Sequence, residues 1–163
     1  LLSPHGTYDE LYISNYISND YVDYYVVSHN SKFLSDAPKY SELNKPVILP
    51  KYRFTEKEIC ELANTSILDY GLEIVKNKLS AEGSYARIPY DITSAYVIAL
   101  LIEGQAEKIH VVGFDGYDRN DNRQQEMIET LNLYNGIENR VELISLTPTS
   151  YPILKGSIYA PVI

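Results

Sequence analysis

Among its 163 residues the chain has one cysteine, one methionine and no tryptophan. A lone Cys60 excludes an internal disulfide and a cysteine-based zinc cluster. Its place in the apolar phase of a helical pattern reads as a small buried hydrophobe. Basic residues are also scarce: 14 Lys and Arg stand against 22 Asp and Glu, a net charge of −8. Phosphate contacts are made mainly by Lys and Arg, so this balance argues against a general nucleic-acid binder, and it gives no support to binding an anionic membrane. A local anion site stays open, because backbone N–H groups at a helix start need no net positive charge. No apolar run approaches the roughly 20 residues that cross a bilayer. There is no HxxxH or HxH spacing, no GxSxG elbow and no Gly-rich phosphate fingerprint. No metal site, cofactor or covalent nucleophile is therefore expected. The opening Leu1-Leu2-Ser3-Pro4-His5-Gly6 has no basic n-region and no initiator Met. The expectation is a cytoplasmic module of a longer protein, without a signal peptide.

What is present suits one globular domain. A 45% hydrophobic content is too high for a disordered chain. A domain of this length buries about two-thirds of the surface its unfolded form exposes. Tyrosine dominates the aromatics, 16 against three Phe. These tyrosines are scattered rather than striped, which reads as compositional bias more than as a stacking platform.

Short β-type runs occur at Glu10–Asn15, Asp23–Ser28, Pro46–Leu49, Ile109–Gly113 and Val141–Leu146. The third, bounded by prolines, has the look of a buried parallel strand. Helical patterns lie between them. Thr55–Ala63 opens with a capping box, Thr55 and Glu58. Thr93–Glu103 is apolar almost all round and predicts a helix buried on the sheet, with Asp91 or Thr93 as cap and Gly104 just past its end. Arg123–Tyr134 sets Met127, Leu131 and Tyr134 on one face, with Asp121 or Asn122 as N-cap and Asn135-Gly136 as its end. The alternation of helix and strand from Asp91 onward implies parallel strands joined by crossovers, an α/β domain of three layers around a mostly parallel open sheet. Residues 64–89 are the least legible; Ile67–Val75 reads as a helix or as a strand and turn. Residues 147–163 read as an irregular arm.

Ligands of such sheets bind outside the carboxyl ends of strands. The strongest candidate is IHVVGFDGY, Ile109–Tyr117, where Asp115 follows an apolar strand. Asp115 there can bind a ribose hydroxyl, hold a metal or act as a base; the plainer alternative is a turn Asp, with Gly116 supplying φ > 0. Tyr117 is a candidate contact beside it. The polar run that follows fails the EF-hand spacing. A second candidate is the start of the apolar helix, where free N–H groups join the hydroxyls of Thr93 and Ser94. Ordinary capping explains those residues equally well. The third is Asn15 with His29, Asn30 and Ser31, each following a strand. Asn reads a base or sugar by paired donor and acceptor, and His29 is either a general base or structural. His5 falls in a terminus read as loose, and His110 on a strand read as central.

Thr93–Tyr117, with its Thr-Ser helix start and IHVVGFDGYD, resembles the Rossmann-like domain found downstream of HMG-CoA-lyase-like aldolase barrels of bacterial surface-carbohydrate biosynthesis. Leu146–Ile153, Ser157–Ala160 and Tyr24–Lys32 are similar to other parts of that domain. The layout is more distantly similar to bacterial sialyltransferases that use a CMP-sugar donor, in which the positions of Asn15, Thr93 and Ser94 contact the nucleotide. The resemblance implies one Rossmann-like domain over 1–163, a C-terminal piece whose partner is an aldolase-like barrel in the parent chain. It implies an accessory role: holding a small-molecule ligand such as a nucleotide, nucleotide-sugar, sugar phosphate or sugar acid. A glycosyl- or nucleotidyltransferase with Asp115 as base is the alternative. A structural domain that forms a homo-oligomer through its tyrosines and terminal arm is the third reading.

Overall fold

The computed structural model describes residues 2–5, 22–29, 44–62 and 64–159. In chain order the described elements are β1 (Leu2–His5), β2 (Tyr24–Val27), β3 (Val47–Leu49), a 3₁₀ turn (Lys51–Arg53), α1 (Glu56–Cys60), β4 (Ile67–Asp69), β5 (Gly71–Ile74), β6 (Ser80–Glu82), β7 (Tyr85–Ile88), α2 (Thr93–Glu103), β8 (Ile109–Val111), α3 (Asn122–Asn135), β9 (Leu143–Ser145) and β10 (Leu154–Lys155). The fold is mixed α/β, and its strands are mostly parallel. They form three small sheets, ordered β1-β2-β3-β4, β10-β9-β8 and β5-β7-β6. Among the described residues only β6 and β7 pair antiparallel.

The parallel arrangement follows from the connections. β3 reaches β4 through the 3₁₀ turn and α1, and β8 reaches β9 through α3. A crossover of this kind lets the second strand run in the same direction as the first. β2 and β3 are packed on both faces, as strands of parallel sheets commonly are. Along β2 and β3, Val26 and Ile48 face a large core, while Tyr25, Val27, Val47 and Leu49 face a smaller one with Phe54 and Leu62.

The large core is organised around α2. Ala95, Tyr96, Val97, Ile98 and Ala99 are all buried, and the helix packs against β1 and β2 of one sheet and β6 and β7 of another. Enclosure from two sides accounts for a helix that is apolar almost all round. Met127, Leu131 and Tyr134 of α3 and Ile109 and Leu143 of the β8–β9 pair complete this core. The capping box at Thr55 and Glu58 forms as its spacing implies, and Asp121 caps α3 by accepting from the Arg123 N–H.

Several expectations are corrected. Of the two alternatives for Ile67–Val75 the strand is the one found: the stretch 64–89 contributes β4 to β7, with Tyr70 between two short strands that belong to different sheets. A hairpin joins β6 to β7 through Gly83, at φ +63°. His5 lies in β1 rather than in a loose terminus, and His110 lies on β8, an edge strand rather than a central one. Cys60 is exposed, not buried. The helix that holds it is only five residues long and turns Glu58 inward, with Leu62 just beyond its end. Neither Asp91 nor Thr93 caps α2, whose N-cap residue is Ile92 with no side-chain bond. Past its end the left-handed position is taken by Gln105, while Gly104 has φ −70°. The arm is not wholly irregular, since β10 pairs parallel with β9. The strand expected over Glu10–Asn15 lies outside the described residues.

Tyr96 is fully buried, and its hydroxyl donates to the Tyr70 carbonyl at 2.6 Å. Tyr96→Phe removes only that bond and leaves the carbonyl unpaired. It should lower unfolding free energy by about 1 kcal/mol, read as a lower urea midpoint at unchanged slope.

Candidate functional site

Because β2, β3 and β4 run the same way, the residues that follow them share one edge of the sheet. Ser28 and His29 leave β2, Lys51–Arg53 leave β3, and Asp69 ends β4. The amino end of α2 arrives at this edge. There the Thr93 and Ser28 hydroxyls meet at 2.7 Å, both residues buried. This contact fixes the start of α2 to the end of β2.

Around it sits a charged group drawn from four segments. Arg53 Nη1 donates to both Asp91 carboxylate oxygens at 2.8 and 3.0 Å, and reaches the Ser28 carbonyl at 3.3 Å. Its Nε donates to the Tyr52 hydroxyl at 3.3 Å. Partial burial works against the Arg53 charge, but the bonds from Asp91 and Tyr52 outweigh it and hold the guanidinium pKa above its ordinary value. His29 Nδ1 lies 3.7 Å from Asp91 Oδ2. Asp69 accepts from the Lys51 N–H at 2.9 Å, which fixes the turn that carries Arg53.

Asp91 is thus turned toward Arg53 and away from the helix it precedes. The first turn of α2 begins with no side-chain cap, and the first helical bond runs from Tyr96 N–H to the Ile92 carbonyl. The N–H groups of Thr93, Ser94 and Ala95 precede that bond; such first-turn donors have no partner within a helix. Arg53 Nη2 makes no hydrogen bond among the described residues. Both features suit an anion.

The second candidate is the loop after β8. Its shape is set by the segment after β9. The Gly113 N–H donates to the Thr147 hydroxyl, the Ser150 N–H to the Asp115 carbonyl, and the Thr149 hydroxyl to the Phe114 carbonyl. The Phe114 and Tyr151 rings pack at 4.6 Å between centroids. Gln124 accepts from the Tyr117 N–H and donates to the Ser150 hydroxyl. The Arg123 guanidinium stands 4.3 Å over the Tyr117 ring. Its bonds to Asp121 hold that carboxylate below the usual range. The Asp115 side chain is exposed and makes no hydrogen bond or ion pair among the described residues.

The expected contacts therefore stand on separate segments. His29 and Thr93 come together at the sheet edge, but the Thr93 hydroxyl is occupied by Ser28 rather than presented to a ligand. Ser94 is half-buried beside it. Asp115 and Tyr117 lie on the β8 loop. Asn15 and Asn30 lie outside the described residues. Arg53, Asp91 and Ser28 are site residues that the sequence reading passes over. Arg53 was open to the same rule that flagged His29, since it too follows a parallel strand. No cluster able to hold a metal ion occurs among the described residues, and no helix there is long and apolar enough to cross a membrane.

A concavity of about 420 Å³ lies elsewhere. It opens on the sheet face that α2 covers, beside the last turn of α2, and is lined mainly by Tyr24, Ile48, Tyr70, Leu100 and Leu101. Glu103 is the one carboxylate among its described lining residues. The polar cluster at the strand ends is the better candidate, because it brings charged groups together with backbone donors that have no side-chain cap.

Compared with known families, curated proteins and solved structures, the chain finds no match.

Gly116 has φ +107°, and a Cβ there would stand 2.0 Å from the Ser150 Oγ. Gly116→Ala should cost about 1–3 kcal/mol, read by thermal unfolding. Adding Ser150→Ala should recover only part of it, because the backbone strain remains.

Proposed function

We propose that the edge formed by Arg53, His29, Asp91 and the start of α2 holds the anionic group of a small ligand. The ligand class is a nucleotide, sugar phosphate or sugar acid. The observation that carries this reading is the uncapped amino end of α2 beside a partly free guanidinium. A helix start without a side-chain cap leaves its donors to water or to a ligand, and a ligand phosphate or carboxylate satisfies them with favourable charge. Arg53 adds planar donors of the kind that match carboxylate and phosphate. The site sits where parallel α/β sheets take ligands, outside the carboxyl ends of strands.

In this reading the chain is a three-layer, Rossmann-like domain with an accessory role. It holds a ligand for an aldolase-like barrel in the same parent protein, in keeping with the resemblance of Thr93–Tyr117. The ligand approaches Arg53 through Nη2, while Nη1 stays with Asp91.

Thermal shift and calorimetry with inorganic phosphate, CMP, UDP and a sialic-acid-like compound test the reading. At least one should bind at millimolar concentration or below. Arg53→Gln should then weaken it about ten- to a hundredfold, the loss expected for a hydrogen bond to a charged group. Absence of any shift with the whole set at millimolar concentration rules the reading out.

A further inference from the structure

We propose that His29 and Arg53 compete for Asp91, so that protonation of His29 frees Arg53 and strengthens anion binding at this edge. The inference rests on the reading of the edge as an anion site and adds its regulation by pH.

The geometry is that of a shared carboxylate. One nitrogen, Arg53 Nη1, spans both Asp91 oxygens at 2.8 and 3.0 Å. His29 Nδ1 faces Oδ2 at 3.7 Å, beyond hydrogen-bond length but within reach of an ion pair. A movement of under about 1 Å closes that gap to an ordinary charge-assisted bond. The room to move exists: the His29 and Asp91 side chains are 37% and 41% exposed. Arg53, at 22%, is the more tightly held of the three.

Among the described residues the charges in the neighbourhood are few. Arg53 and Asp91 face His29 directly. Tyr52 binds the far side of the guanidinium, and Lys51 and Asp69 lie further along the edge, where the Asp69 carboxylate is taken by the Lys51 N–H. With His29 neutral, the charges of Arg53 and Asp91 cancel. With His29 protonated, the trio carries one positive charge, and Nδ1 becomes a donor aimed at Oδ2. Asp91 then has a second cation and Arg53 is less constrained by it. Histidine is the side chain whose charge ordinarily changes between pH 5 and 8. The sign is fixed: binding of an anion strengthens as pH falls through that range.

Sulfate is the probe, because it does not titrate there. Calorimetry at pH 5.5 and 8.0 should show wild type binding sulfate about tenfold more tightly at the lower pH, as one added charge a few ångströms away implies. His29→Gln should bind equally at both. His110→Gln, which alters an exposed histidine on β8, should keep the full dependence and so removes the effect of overall charge. In parallel, the Arg53 Nε–H resonance should move with the same midpoint as the His29 ring in wild type and stay fixed in His29→Gln. Sulfate binding that is equal at the two pH values, or a dependence that survives in His29→Gln, overturns the switch and leaves the anion site standing. No sulfate binding at either pH, together with none of phosphate, overturns both.

Discussion

Helix α2 buries Ala95, Tyr96, Val97, Ile98 and Ala99 together, a set that occupies more than one side of a helix. Such a helix is stable only where protein surrounds it, and here β1 and β2 stand on one side and β6 and β7 on the other. The rest of the fold is arranged around that enclosure. The four-stranded sheet presents Val26 and Ile48 to it, and α3 and the β8–β9 pair close the remainder with Met127, Leu131, Ile109 and Leu143. A helix held this way has no freedom to slide. Its amino end must come to the sheet edge where the Ser28 and Thr93 hydroxyls lock it. The uncapped N–H groups and the Arg53–Asp91 pair stand together as a consequence of that packing.

The enclosure also explains how a chain with no Trp and three Phe builds an aromatic core. Tyr96 and Tyr134 are almost wholly buried, and each ring brings a hydroxyl that must find a partner. Both find a backbone carbonyl on another segment, Tyr70 for the first and Val141 for the second. The Tyr52 hydroxyl likewise meets the Leu72 carbonyl. Burial pushes the Tyr96 hydroxyl pKa upward, so it stays a donor across the working range of pH. The abundant tyrosines are thus partly structural staples, which their scatter along the chain conceals.

The β8 loop shows the converse. Its glycines and Asp115 stand out locally, yet its conformation is imposed from Thr147–Tyr151, more than 30 residues away. Gly116 is required by a close approach of Ser150 as well as by its φ. These contacts hold the loop in shape for structural reasons, and Asp115 is carried on its exterior.

Local physics was readable in the linear chain. The capping box at Thr55, the all-apolar α2, the α3 face with Met127, Leu131 and Tyr134, the Asp121 cap and the parallel α/β character each follow from periodicity or from spacing within a few residues. Residues 64–89 were not readable, because four strands of three or four residues, split between two sheets, are too short to show a period. The charged edge was half readable. The rule of strand ends flagged His29, whereas Arg53 and Asp91 are 38 residues apart and only the pairing of β2 with β3 and the docking of α2 bring them to 2.8 Å. That same meeting diverted Asp91 from the cap its position favoured, because a nearby guanidinium attracts a carboxylate more strongly than the first turn of a helix does.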